Sequence, residues 1–223
     1  MPSAAKVSAQ EIFEELRESI LQGELVPGQH LPETTLAQRY DVSRGPVRDA
    51  LRLLVDSGLA HLVPNAGVSV RAFTIAEAQA LYELREGLEA QAARLAALHM
   101  DDEAGAQLED MLIQHEAGIS AHPDGAYLTK GQDTDFHVRI VTLAGNPLLH
   151  RLLTQELYPQ LILLRQQHQN VQGRGHSAWV EHRRIFEALA DRDPLVADLQ
   201  MRRHIRNSWS SLSAQISETL SQG

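Results

Sequence analysis

Apolar residues recur along this chain at helical spacing, interrupted once by two short β-branched runs. Ile12, Leu16 and Ile20 stand four apart in "AQEIFEELRESILQ", and Gly23 with the following "VPG" supplies a stop, which predicts an amphipathic helix over 9–22. "ETTLAQRY" predicts a short second helix, and "DVS" a tight turn in which Ser43 caps a third, "RGPVRDALRLLVDSG". Pro46 falls in the opening turn of that helix, where amides have no intrahelical partner and a missing N–H is harmless. Gly58 ends it. "LAHLV" and "VSVRAF", separated by "PNAG", then read as a hairpin.

From Thr74 onward the pattern is helical throughout. Thr74 and Glu77 have capping-box spacing at the head of "TIAEAQALYELREGLEAQAARLAALHM", long enough for about seven turns. Further helices are predicted from about Asp101, Asp124, Asn146, His176 and Asp193; Asn146-Pro147 and Asp193-Pro194 each fit an N-cap followed by proline at N1. "SAHPDG" and "NVQGRG" are the loops between them. The fold class is therefore mainly α: a winged helix-turn-helix over 1–73, followed over 74–223 by an all-helical antiparallel bundle.

Composition narrows the chemistry. Aromatics are 4% of residues, so aliphatic helix faces must build the interior. There is no cysteine, which excludes disulfides and thiolate ligands and suits a reducing cytoplasm. No stretch approaches the roughly 18 uncharged apolar residues of a membrane span, and the N-terminus lacks a signal-peptide core. A cytoplasmic protein without a membrane partner is expected. The net charge is −9, but residues 39–71 carry five arginines against three aspartates, so a local basic region survives the acidic average.

That region coincides with the third helix. In a winged helix-turn-helix the second helix of the pair enters the major groove of DNA. Ser43 and Arg44 fall at its N-terminal end, and Arg48 lies one turn along the same face. Arginine suits guanine because its planar fork pairs with O6 and N7 together, so Arg44 and Arg48 are the expected base readers. A solvated arginine face in some other small domain is the plainer alternative.

A second constellation lies in the bundle. Asp133 and His137, four apart in "GQDTDFHVRIVTLAGN", can present an oxygen and an imidazole nitrogen to one point. His182 keeps helical register with Ala178, Ile185 and Leu189, and His204 with Ala197, Met201 and Leu212, so two further helices each aim a histidine inward. A single inward histidine is ordinarily a hydrogen-bonded core residue; three with a carboxylate make a site for a divalent ion, zinc first, with nickel and manganese as alternatives. The other eight of the eleven histidines offer no comparable set. Asp135 is expected on another face, solvated. Arg85, beside the Leu81, Leu84, Leu88 strip, either points into the same cavity to pair with an anionic effector or forms a surface ion pair with Glu89. Arg165 is a weaker candidate of the same kind.

Residues 23–70, "GELVPGQHLPETTLAQRYDVSRGPVRDALRLLVDSGLAHLVPNAGVSV", resemble the N-terminal domain of the GntR family of bacterial transcription regulators almost without gaps, in the "PG" turn, "LA" on the second helix, "VSRxPVRxAL", "GL" and "PNxGxxV". The resemblance implies DNA contacts from Ser43, Arg44 and Arg48, with Gly67 at the wing tip. Many relatives have an arginine just before that glycine, where this chain has Ala66, and some have one where it has Thr34. Residues 74–220 resemble the FCD ligand-binding domain of the fatty-acid-degradation-regulator branch, through "LYELREGLEAQAARLAA", "DTDFHVRIVTLAGNPLL" and "EHRRIFEALADRDPLVADLQMRRHI". It implies a zinc or nickel site from Asp133, His137, His182 and His204, whose open positions receive a carboxylate of a small organic acid. A ligand-responsive regulator is thereby expected, a repressor acting as a homodimer on a pseudo-palindromic double-stranded operator, and not an enzyme. The alternatives are a purely structural metal, or a metal-dependent hydrolase or lyase, for which no general base can be assigned.

Overall fold

The computed structural model describes residues 7–121, 136–167 and 174–221, with side chains over 7–120, 136–164 and 175–214. Asp133, Asp135, the helix start near Asp124, most of both predicted loops and the Arg165 side chain lie outside the described residues. The elements in order are α1 (Ala9–Leu21), α2 (Glu33–Arg39), α3 (Arg44–Asp56), β1 (Ala60–Val63), β2 (Gly67–Val70), α4 (Ile75–His99), α5 (Asp102–Ala121), α6 (Phe136–Leu143), α7 (Pro147–His150), a π-helical stretch (Arg151–Leu157), α8 (Tyr158–Gln167), α9 (Arg174–Ala190) and α10 (Pro194–Ser221).

They fall into two compact units, the residues up to Phe73 with Tyr158–Gln167, and Thr74–Leu157 with the described residues after Gln167. In the first unit, α1 begins at a reciprocal box: the Ser8 hydroxyl accepts the Glu11 amide, and the Glu11 carboxylate accepts the Ser8 amide at 2.7 Å. Ile12, Leu16 and Ile20 are fully buried, and α1 packs against α3 through that stripe with Val47, Ala50, Leu51 and Leu54 opposite. β1 and β2 pair antiparallel, with Val63 opposite Gly67, and Asn65 (φ 61°) and Gly67 (φ 91°) take the left-handed conformations that reverse the chain. An isolated antiparallel bridge between His30 and Ser69, not predicted, ties the segment before α2 to β2: Leu31 donates to the Val68 carbonyl and Val70 to that of Gln29. The helix α8 packs on α1, and its Gln160 side chain stands against Gly58 and accepts a hydrogen bond from Arg71 at 3.4 Å.

In the second unit, α4 opens on the Thr74–Glu77 capping box predicted for it, and α10 is its most extensive neighbour. Tyr82 meets Trp209 across that pairing with ring centroids 5.4 Å apart. The Asn146 and Asp193 carboxamide and carboxylate each accept two amides of the following turn, as the Asx-Pro pattern predicts. α6 lies against α4 through a cluster of Ala92, Val141, Ala144, Leu149 and Leu153. The leucine strip read from sequence is only in part the buried face of α4: Leu81 is buried and Leu88 packs against that cluster, but Leu84 does not follow them. Leu84 is 50% exposed, and the inward positions are Ala78, Leu81, Tyr82, Arg85, Glu89, Ala92, Ala93 and Ala96, where small alanines let neighbouring helices approach closely. Among the described residues no helix is long and apolar enough to cross a membrane.

Glu86 on α4 joins α10 by accepting from Arg206 at 2.7 Å and pairing with Arg202 at 3.5 Å. The Arg206 hydrogen bonds hold its carboxyl below the usual carboxylate range against the opposing effect of partial burial. A carboxyl depressed on folding stabilises above its unfolded pKa and loses that contribution as pH falls through the folded one. Glu86→Gln should therefore lower the melting temperature by roughly 2 °C at neutral pH. The gap to the wild-type protein should close as the pH drops below the carboxylate range, in parallel thermal melts.

Candidate functional site

The face of α3 away from its apolar stripe is open. Ser43, Arg44, Gly45, Arg48 and Asp49 are exposed, and Arg52 continues the line of Arg44 and Arg48 by a further turn. Ser43 occupies the N-cap position of α3, but its hydroxyl makes no capping hydrogen bond, contrary to the cap expected of it. Hydroxyl and first-turn amides together face solvent at the positive end of the helix, a setting that favours an anionic oxygen. The Arg48 fork is held by the Glu33 carboxylate on α2, with Nη2 and Nε at 3.2 and 3.3 Å, and remains 56% exposed. Gly67 is exposed at the hairpin end; its φ of 91° is one that side chains rarely adopt, so the position requires glycine whether or not DNA approaches it. Thus α3 brings Ser43, Arg44 and Arg48 to one surface, and Gly67 closes the wing.

The second site is buried. His137 on α6, His182 on α9 and His204 on α10 are 7%, 2% and 3% exposed, and their ligand nitrogens all lie within 4.8 Å of one another. His204 Nε2 stands 3.2 Å from His137 Nε2 and 3.3 Å from His182 Nε2. Phe136 stacks on the His182 ring at 4.5 Å between centroids, fixing its plane. His115 of α5 is also buried, 6.5 Å ring to ring from His182, but is not among the converging three.

Two carboxylates decide which nitrogens converge. Glu89 Oε2 lies 2.5 Å from His137 Nδ1, and Glu181 Oε2 lies 2.7 Å from His204 Nδ1. Each accepts the Nδ1 proton, which leaves a lone pair on Nε2 in the neutral ring. Two such lone pairs 3.2 Å apart in a buried space repel unless a cation lies between them. Two nitrogens bound to one tetrahedral ion at about 2.0–2.1 Å stand about 3.3 Å apart, so the donor set fits a zinc-like ion. Asp133, the fourth ligand expected, lies outside the described residues.

Arg85 resolves the choice left open in the sequence by satisfying parts of both readings. It does pair with Glu89, Nε to Oε1 at 2.5 Å, but the pair is buried at 1% and 4% side-chain exposure and not on the surface. Its Nη2 reaches within 3.4 Å of His137 Nε2, and its Nη1 is buried without a hydrogen-bond partner among the described residues. Burial alone would push the Glu89 carboxyl up; the Arg85 charge, with hydrogen bonds from His137 and Arg85, outweighs it and holds the group ionised.

Glu89 and Glu181 are the site residues that sequence reasoning missed. Glu89 was visible only as an i+4 partner of Arg85. Glu181 adjoins His182 and so points about 100° away around α9, which hides that it serves His204 of the next helix.

Comparison with known proteins agrees with both halves. The model described as "Bacterial regulatory proteins, gntR family" matches residues 8–70, and that described as "FCD domain" matches residues 80–207. The chain is 27% identical over 208 residues to the uncharacterized HTH-type transcriptional regulator YdhC of Bacillus subtilis, covering 93% of this chain and 92% of that one. It is 26% identical over 217 residues to the HTH-type transcriptional repressor RspR of Escherichia coli, covering 91% and 88%. The solved structure of E. coli McbR/YncC superposes with a TM-score of 0.71 at 18% identity, covering 94% and 99%, a likeness of fold. These relatives are regulators, which removes the hydrolase or lyase alternative. The exposed basic face of α3, its wing and the helical unit carrying the histidines accordingly belong to a transcription regulator of the gntR family with an FCD domain, a DNA-binding protein and not an enzyme.

Proposed function

We propose that residues 1–73 bind a pseudo-palindromic operator as part of a homodimer, and that residues 74–223 hold a divalent metal and a small organic acid whose binding releases the operator. The observation that carries this reading is the convergence of three buried Nε2 atoms beside a buried arginine. Zinc is the favoured ion, because three imidazoles without thiolate form a borderline set; nickel and manganese are the alternatives. When bound, the ion supplies a Lewis-acidic position for a carboxylate oxygen. The chain's own part is to orient the imidazoles and to offer the Arg85 Nη1 donor to the same anion. His137, His182 and His204 hold the ion, with Asp133 as the proposed fourth ligand; Arg85, with Arg165 as the weaker candidate, contacts the effector.

On DNA, Arg44 and Arg48 read base edges, Ser43 meets a phosphate, and Gly67 lets the wing backbone approach. The homodimer is supported by the geometry of DNA, since recognition helices related by a two-fold axis meet successive major grooves about 34 Å apart. Leu84 and Leu98 of α4, both at least half exposed, are apolar surface that a second copy would cover. Effector binding favours dimer arrangements that do not match that spacing, which makes repression the sign of the response; such regulators act in the cytoplasm, where the operator is. The "HTH-type transcriptional repressor" name of the E. coli relative supports that sign.

The test is a paired titration, using an operator selected from random duplexes and a panel of small mono- and dicarboxylates. The effective carboxylate should weaken operator binding roughly 5- to 150-fold, and operator should weaken carboxylate binding by the same factor. Unchanged operator affinity across the panel would leave the metal structural and remove the signalling role.

A further inference from the structure

The two carboxylates behind the histidines divide their oxygens differently. Glu181 gives Oε2 to His204 Nδ1 and Oε1 to the Asn207 amide at 2.8 Å, so it is clasped by a single turn of α10. Glu89 gives Oε2 to His137 Nδ1 and Oε1 to Arg85 Nε, both at 2.5 Å, and so spans two functions.

We propose that Glu89 and Glu181 are the positioning residues of the metal centre, committing Nε2 of His137 and His204 to the ion, and that Glu89 alone also aims Arg85 at the anion. The inference rests on the metal and effector reading above. A carboxylate on the far nitrogen fixes the tautomer, locks the ring plane and makes the ligating nitrogen a better donor. Glutamine in place of Glu181 still accepts the His204 Nδ1 proton, but without charge. Its other end meets the Asn207 carboxamide, which can flip to offer its own oxygen. Glutamine in place of Glu89 loses more, because the guanidinium opposite it has no acceptor to offer. With its carbonyl on His137 Nδ1, its amide N–H₂ faces the Arg85 Nε–H, donor against donor, and the guanidinium turns away. Loss of Glu181 should therefore weaken the metal alone, and loss of Glu89 should weaken metal and anion together.

The experiment measures zinc affinity by competition with a chromophoric chelator, then acetate affinity at saturating zinc, for the full-length protein, E89Q and E181Q, each checked for helicity by circular dichroism. Zinc affinity should fall roughly 10-fold or more in both variants. Acetate affinity should fall in E89Q and hold within twofold in E181Q. A role confined to fold stability would lower the metal-free melting temperature and leave zinc affinity within twofold, which overturns the proposal. Equal acetate losses in both variants would overturn the division of labour. Should E89Q fail to fold, the less buried Glu181 carries the same zinc test. Failure of the wild-type protein itself to take up zinc would bring down the underlying metal reading, an outcome distinct from wild-type uptake that the variants do not change.

Discussion

Arg48→Ala should remove specific operator binding while leaving the protein folded. The side chain is exposed on α3, its partner Glu33 is a surface pair on α2, and exposed pairs of this kind contribute little to stability. What the guanidinium offers DNA is larger. A bidentate arginine on guanine discriminates by roughly 10- to 100-fold per half-site, and a dimer loses it twice. The Glu33 contact holds the fork in a planar, two-point geometry before DNA arrives, so a base edge exchanges for a carboxylate with little reordering. Titrations at matched salt should put the variant's affinity for the selected operator at that of random duplex, with unchanged helicity and melting temperature. A variant that still prefers the operator as strongly as the wild-type protein would place base reading elsewhere on α3, with Arg44 and Arg52 next in line.

His204→Ala should have the largest effect in the bundle. His204 Nε2 stands within 3.3 Å of an imidazole nitrogen of both others, so its loss opens the set. Zinc affinity should fall by more than the roughly 10- to 100-fold that an outer partner costs. At a zinc concentration about 1000 times the wild-type Kd, binding stabilises the folded chain by about 4.1 kcal/mol; a 100-fold weaker variant retains about 1.4 kcal/mol. Melting with and without zinc should show that narrowing. Without metal the difference between the two proteins should be small, because the deleted ring relieves crowding among nitrogen lone pairs. A zinc-induced shift equal to the wild-type one would mean that the ion sits elsewhere.

Much of this was legible in the sequence, for physical reasons that differ by residue. The helix caps at Thr74, Asn146 and Asp193 are local, so a few letters suffice to predict them. The histidines were legible because each keeps register with buried aliphatic residues on its own helix. Their carboxylate partners depend on how α4 meets α6 and how α9 meets α10, which periodicity does not encode. Leu84 misled for the same reason: alanines, not leucines, fill the tight contacts of α4, and a buried Arg85 and Glu89 share that face because each satisfies the other. The bridge before α2 and the π-helical stretch carry no residue signal; one is held by three backbone hydrogen bonds to β2 and the other by a shift in hydrogen-bond register. Ser43 stands at the N-cap as read, but its oxygen makes no hydrogen bond to the first turn of its helix.

The central claim is that this regulator senses through a metal held by His137, His182 and His204. It is tested most directly by elemental analysis of the purified wild-type protein, joined to mass spectrometry of whatever small molecule comes away when it is denatured. The account predicts about one zinc, nickel or manganese ion per chain, together with a small carboxylate, and loss of both in His204→Ala. A wild-type protein that takes up none of these ions, even after incubation with each, would contradict it.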